Sequence, residues 1–149
     1  MRIAIANDHA GIEMKKQIIE YLKTQGNDVL NFGTDTPESV DYPDYIKKAA
    51  LAVQSGDASY GIVICGTGIG ASITANKFKG VHAALCHDSF TAKMARNHNN
   101  ANILALGARV LTTGEALTIV KIFFHEQFEK GRHLRRVNKI REIESNNFC

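Results

Sequence analysis

Hydrophobic positions in this chain follow two alternating patterns. Short runs, β-branched or apolar almost throughout, are separated by longer stretches whose apolar side chains recur every three or four residues. The runs RIAIA (2–6), DVLNF (28–32), YGIVIC (60–65), VHAALC (81–86) and ANILAL (101–106) predict five strands. After the first, Met14, Ile18, Tyr21 and Leu22 fall on one side of a helix that begins at Gly11 and is closed by Gly26. Helices are also predicted over about 43–54, where Ile46, Ala49, Ala50 and Val53 face inward, over about 69–76, and over about 89–97. A helix starting near Thr113 puts Leu117, Val120, Phe124 and Phe128 at core spacing, and a last amphipathic helix is expected from about Leu134 to Ile143.

Strands that are apolar on both faces belong to a parallel sheet covered by helices on either side. The expected fold is therefore α/β: a Rossmann-like, doubly wound sheet of five parallel strands in a three-layer α/β/α sandwich, with an added C-terminal helix. Ligands of such sheets sit outside the carboxyl ends of the strands, near the point where strand order reverses. That directs attention to Asn7-Asp8-His9, the loop around Asp41-Tyr42, CGTGIG at 65–70 and GAR at 107–109.

Composition narrows the classes. With 149 residues, 44% hydrophobic, two prolines and twelve glycines, the chain is expected to form one globular domain over 1–149. No apolar run is long enough to span a bilayer, and MRIAIANDH turns acidic too soon for a signal peptide, so no membrane association and a cytoplasmic location are expected. Cys65, Cys86 and Cys149 include no CxxC pair and are odd in number, which favours reduced thiols over disulfides or a thiolate zinc site. The formal charge of +3 hides a basic cluster at 130–141: Lys130, Arg132, Arg135, Arg136, Lys139 and Arg141. It reads as a solvated helix face or an anion-binding surface; without aromatic platforms or an RNA module, nucleic acid is not an expected partner.

GTGIG is a weak signal alone. A dinucleotide fingerprint would follow the first strand, where NDHAG stands instead, and a phosphate-gripping P-loop would need a lysine after Gly70, where Ala71 and Ser72 stand. What remains is either a tight packing turn or a concavity of backbone amides that favours negative charge. Cys65 borders that loop, where a helix N-terminus should favour a thiolate. A phosphatase loop would want an arginine where Ala71 stands, and redox exchange would want a resolving cysteine where Gly68 stands. Abstraction of a proton from carbon needs neither, only a base beside oxyanion donors. Asp8-His9 and His98-Asn99 are polar pairs able to move protons or orient hydroxyls, although either histidine alone could be an ordinary surface residue. Arg109, Arg132 and Arg136 are candidates for an anionic group, the last two sharing one side of a helix if it begins near Gly131.

In order along the chain, the Asp8-His9 turn, FGT at 32–34, SVDYPDY at 39–45, GIVICGTGIG at 61–70, ANK at 75–77, RNHNNANILALGARV at 96–110 and KGRHLRRV at 130–137 resemble the sugar-phosphate isomerase family of the ribose-5-phosphate isomerase B type. The resemblance implies an aldose–ketose isomerase of the pentose phosphate pathway, acting on D-ribose 5-phosphate through a cis-enediolate, with no metal or nucleotide cofactor. The six-carbon allose and galactose phosphates of related branches, or a non-catalytic sugar-phosphate-binding module, are the alternatives. It implies a homodimer with shared active sites, sometimes a tetramer. Cys65 resembles the base that takes the C2 proton, Thr67 its assistant near C1 and O1, His98 the ring-opening histidine, and Asp8 its helper. Gly66, Gly68, Ile69 and Gly70 resemble the anion hole; His9, Arg109, Arg132 and Arg136 the phosphate ligands, some from the neighbouring subunit; Tyr42 and Asn99 line the sugar site. Two departures from the family pattern are Asn7, where a small residue or cysteine is common, and Lys130-Gly131, where Gly-Gly is common.

Overall fold

The computed structural model describes residues 1–148, so Cys149 lies outside the described residues. Five strands, β1 (Arg2–Asn7), β2 (Asp28–Asn31), β3 (Tyr60–Cys65), β4 (Ala83–Leu85) and β5 (Ile103–Gly107), form one sheet in the order β2-β1-β3-β5-β4. All pairings are parallel, with Val63 of β3 between Ala6 and Ala105 and Cys65 beside Gly107. Helices α1 (Ile12–Thr24), α2 (Tyr42–Gln54), α3 (Ile69–Ala75), α4 (Ser89–Asn97), α5 (Thr113–His125) and α6 (Arg132–Asn147) complete the chain, with a short turn of tighter helix at His9–Gly11.

Alternate residues of each strand face opposite helical layers. Ile3, Ile5, Ile62, Ile64, Leu104 and Leu106 pack against α1, α4 and α5 through residues such as Ile18, Ala92, Ile119 and Phe123. Ala4, Ala6, Val63, Cys65 and Ala105 face α2 and α3, which bring mostly small side chains, among them Ala49, Ala50, Ala71 and Ala75. The chain leaves β1 toward β2 on one side and returns to place β3 on the other, so the exits of β1 and β3 diverge. No helix among the described residues is long and apolar enough to cross a membrane.

Several expected boundaries move. β2 stops at Asn31, β4 contracts to Ala83–Leu85, and β5 runs from Ile103 to Gly107. At the β4 entrance the Asn102 side chain takes the bonding role, accepting from His82 N at 2.8 Å and donating to Gly80 O at 2.8 Å. On α5 the buried stripe is Ala116, Ile119, Val120 and Phe123, while Leu117 and Phe124 are only half-buried. Phe128 lies beyond the helix: buried Asn97 donates to Gln127 O at 2.6 Å and to Glu126 Oε2 at 3.0 Å, holding an extended connection after His125. Helix α6 begins two residues earlier than expected, at Arg132, after a turn in which Lys130 (φ 59°) and Gly131 (φ 53°) are both left-handed.

Candidate active site

The loop leaving β3 is built around Gly68. Its φ of 77° suits glycine, and a Cβ there would lie 2.5 Å from Leu85 Cδ1 and 2.8 Å from the Leu106 carbonyl carbon. That path turns the Gly68 N–H onto Sγ of Cys65, 3.2 Å away, and the Ile69 N–H onto Thr67 Oγ1 at 3.3 Å. Cys65 is 4% exposed, yet its sulfur faces the loop through the Gly68 amide. The exit of β5 braces the loop, since Ala108 N donates to Cys65 O at 2.9 Å and Arg109 N to Gly66 O at 2.8 Å. The Arg109 guanidinium lies over Gly66, and the Tyr42 ring at the start of α2 lies over Gly70.

Beside this loop, Asp8 follows β1. Its backbone N–H donates to Ile64 O at 3.2 Å, extending the β1–β3 pairing, and its carboxylate accepts the Ala10 N–H at 2.9 Å. His9 Nδ1 accepts the Val40 N–H at 3.1 Å, so in the neutral ring Nε2 carries the proton. Asn7 is fully buried behind them, donating to Asp8 O at 2.7 Å and Thr34 O at 3.1 Å. Buried Lys15 also reaches Thr34 O, at 2.8 Å, and pairs with Asp35 at 2.5 Å. The departure at Asn7 thus ties the Asp8 turn to the β2 exit. Asp8, His9, Tyr42, Cys65 to Gly70 and Arg109 all gather at the carboxyl rim of the sheet.

The remaining expected residues do not join them within one protomer. Helix α4 runs back against the strands, so His98 at its C-cap stands at the amino rim, just before β5 begins. The six residues of β3, at roughly 3.3 Å each, put about 20 Å of sheet between the two rims. Within one chain the two groups therefore lie at opposite rims, and the family resemblance implies sites shared between two subunits. At the amino rim the His98 ring stacks on His133, with centroids 4.0 Å apart and planes 9° from parallel. Glu129 Oε2 lies 3.8 Å from His98 Nε2 and 3.6 Å from His133 Nε2. Burial, then the neighbouring His98 and Arg132, hold the His133 imidazole below the usual histidine range. Arg132 and Arg136 are exposed on the opening turns of α6, and Asn99 lines a cleft of about 540 Å³ between α6 and the β4 entrance.

His133 lies within the family-like KGRHLRRV stretch and Glu129 just before it, but no local pattern distinguishes either from a basic helix face. Cys86 differs from Cys65: burial pushes its thiol up to about 12, and its sulfur faces Ala84 O at 3.7 Å. It belongs to the core.

A sequence model described as Ribose/Galactose Isomerase matches residues 3–140. The chain belongs to that family. Ribose-5-phosphate isomerase B of Escherichia coli is 43% identical over 96% of this chain and 96% of its own length. The solved structure of ribose-5-phosphate isomerase B from Clostridium thermocellum superposes with a TM-score of 0.96 at 52% identity, covering 98% of this chain and 99% of the other. The enzyme of Mycoplasma genitalium, solved with bound ribulose-5-phosphate, gives a TM-score of 0.94 at 44% identity, covering 98% and 97%. The parallel α/β fold of this ribose/galactose isomerase family member is therefore the fold of ribose-5-phosphate isomerase B structures.

Proposed function

We propose that this chain is an aldose–ketose isomerase interconverting D-ribose 5-phosphate and D-ribulose 5-phosphate, a cytoplasmic step of the pentose phosphate pathway. The observation that carries the reading is the sulfur of Cys65 turned toward the loop that follows it, where it accepts the Gly68 N–H. A base and oxyanion donors on the same few atoms are what abstraction of a proton next to a carbonyl requires. A family relative holds ribulose-5-phosphate.

The working unit is a homodimer in which each site takes its carboxyl rim from one protomer and its amino rim from the other. The two halves, incomplete alone, are complementary: one has the base and donors, the other an acid and two arginines. Exposed Ile69 and Ile73 on α3, beside the glycine loop, offer apolar surface for such a partner.

The sugar phosphate arrives as a ring. His98 gives a proton to the ring oxygen while Asp8, directly or through water, accepts one from the anomeric hydroxyl. As thiolate, Cys65 takes the C2 proton; Thr67 assists as O1 gains the proton that O2 gives up, and return of a proton to C1 yields the ketose. The enediolate's negative oxygen faces the 66–70 loop, where each oxyanion donor is worth about 3 kcal/mol. His9, Arg109, Arg132 and Arg136 hold the phosphate, with Tyr42 and Asn99 along the sugar.

Ketose formation from ribose 5-phosphate and from allose 6-phosphate, in wild type and Cys65→Ala, tests this. The expected result is turnover of the five-carbon sugar that falls by about 10²–10⁴ in the variant, with inhibition by inorganic phosphate retained. Near-normal turnover by Cys65→Ala would overturn the mechanism; preference for allose 6-phosphate would move the substrate to the six-carbon alternative.

A further inference from the structure

The trio His98, Glu129 and His133 contains more than ring opening by a lone histidine requires. Both imidazoles direct Nε2 at the same carboxylate oxygen of Glu129, at 3.8 and 3.6 Å, and they stack at 4.0 Å. One carboxylate balances one imidazolium, and two imidazoliums face to face would repel. The three side chains also form a potential metal cluster. Rings only 9° from parallel, however, aim their nitrogen lone pairs alongside each other instead of converging on an ion about 2.1 Å from both. A single positive charge on one of the two rings, balanced by the one carboxylate, fits the geometry better.

The pair is not symmetric. His133 has 8% of its side chain exposed and is flanked from α6 by Arg132 and Arg136, both of which disfavour its charged form. His98 has 35% exposed and caps α4. The other charges nearby answer each other: Lys93 of α4 lies 3.9 Å from Glu126 of the connection to α6. Glu129 is held where it is needed, because its N–H donates to Asn97 O at 3.0 Å and Asn97 also bonds residues 126 and 127. The residue before His98 therefore sets the position of the carboxylate that faces it.

We propose that Glu129 is a positioning residue that keeps the single positive charge of the histidine pair on His98 and off His133, so that the ring-opening acid holds the proton it gives up. The proposal rests on the reading of His98 as that acid. Its test is the pH profile of kcat/KM for ribose 5-phosphate, compared with the 4-deoxy analogue, which lacks the hydroxyl that closes the ring. In Glu129→Gln the imidazolium loses its counter-charge and gives up its proton at lower pH. The alkaline limb for ribose 5-phosphate should move down by about half to one pH unit, a partly exposed pair being worth less than a buried one. The activity loss at pH 8 should be roughly three- to tenfold, against less than twofold for the 4-deoxy analogue. Glu129→Asp should recover part of the shift, and His133→Phe, which keeps a flat ring against His98, should leave the limb in place. A limb unmoved by Glu129→Gln, or one that follows His133 instead, would overturn the proposal. His98→Asn separates the two levels: losses confined to ribose 5-phosphate leave the ring-opening reading standing, whereas equal losses on both substrates would remove that reading itself.

Discussion

The amide of Gly68 donates to Sγ of Cys65 across 3.2 Å, joining the N-cap of α3 to the last residue of β3. This bond exists because residue 68 turns through a left-handed conformation in a space with no room for a side chain. In Gly68→Ala, the new Cβ would meet Leu85 Cδ1 and the backbone of Leu106 and Gly107 within 3.0 Å, and backbone cannot swing aside. The expected cost is about 3 kcal/mol, combining left-handed strain with the overlap. Urea unfolding reads that loss, and turnover should fall at least as steeply as stability. A variant as stable as wild type would mean that the loop has another path.

Gly70 presents the opposite case two residues on. A Cβ there would come within 2.6 Å of Tyr42 Oη, but the obstacle is the far end of a side chain that can turn away. Gly70→Ala should therefore change stability by less than about 1 kcal/mol while raising KM for the sugar phosphate, because Tyr42 leaves its place over the loop. In a Tyr42→Ala background the same substitution should add almost nothing to KM. Additive effects in that double-variant cycle would separate Tyr42 from the site.

Cys86 gives a pH signature unrelated to catalysis. Burial raises its thiol from 9.0 to about 12. The folded protein keeps this proton while the unfolded chain releases it, so the stabilisation is complete below about pH 9 and is lost as pH rises toward 12. The slope across that window is about 1.4 kcal/mol per pH unit. Denaturant unfolding at pH 8 and pH 10.5 should show wild type losing this increment relative to Cys86→Ala, whose kcat at pH 8 should stay within about twofold of wild type. Parallel losses in the two proteins would mean that Cys86 is solvated.

The apolar runs located every strand because a covered parallel sheet demands them, and the run at 60–65 ended at the residue whose sulfur faces the loop. Phe128 was misplaced because helical spacing cannot register Asn97, which is distant in sequence and ends the helical path by binding residues 126 and 127. The separation of His98 from Cys65 was readable in principle. A helix linking two parallel strands must run back, so the residue that caps it belongs at the opposite rim from the residue that ends a strand. Glu129 and His133 carry no such signal, since their pairing depends on how the turn at Lys130 and Gly131 directs α6 against the end of α4.

That separation makes the shared site testable by mixing two inactive proteins. If each site combines Cys65 of one protomer with His98 of the other, a dimer of a Cys65→Ala chain and a His98→Asn chain carries one site with both defects and one with neither. Random assortment makes about half the dimers mixed, each with one intact site of two, so roughly a quarter of wild-type activity should return. Co-expression of differently tagged chains, with tandem purification of the mixed dimer, would raise this to about half, because every molecule then holds one intact site. The alternative is equally concrete. Were Cys65 and His98 to act from the same chain, every site in the mixed dimer would carry one defect, and no activity would return at any ratio of the two proteins.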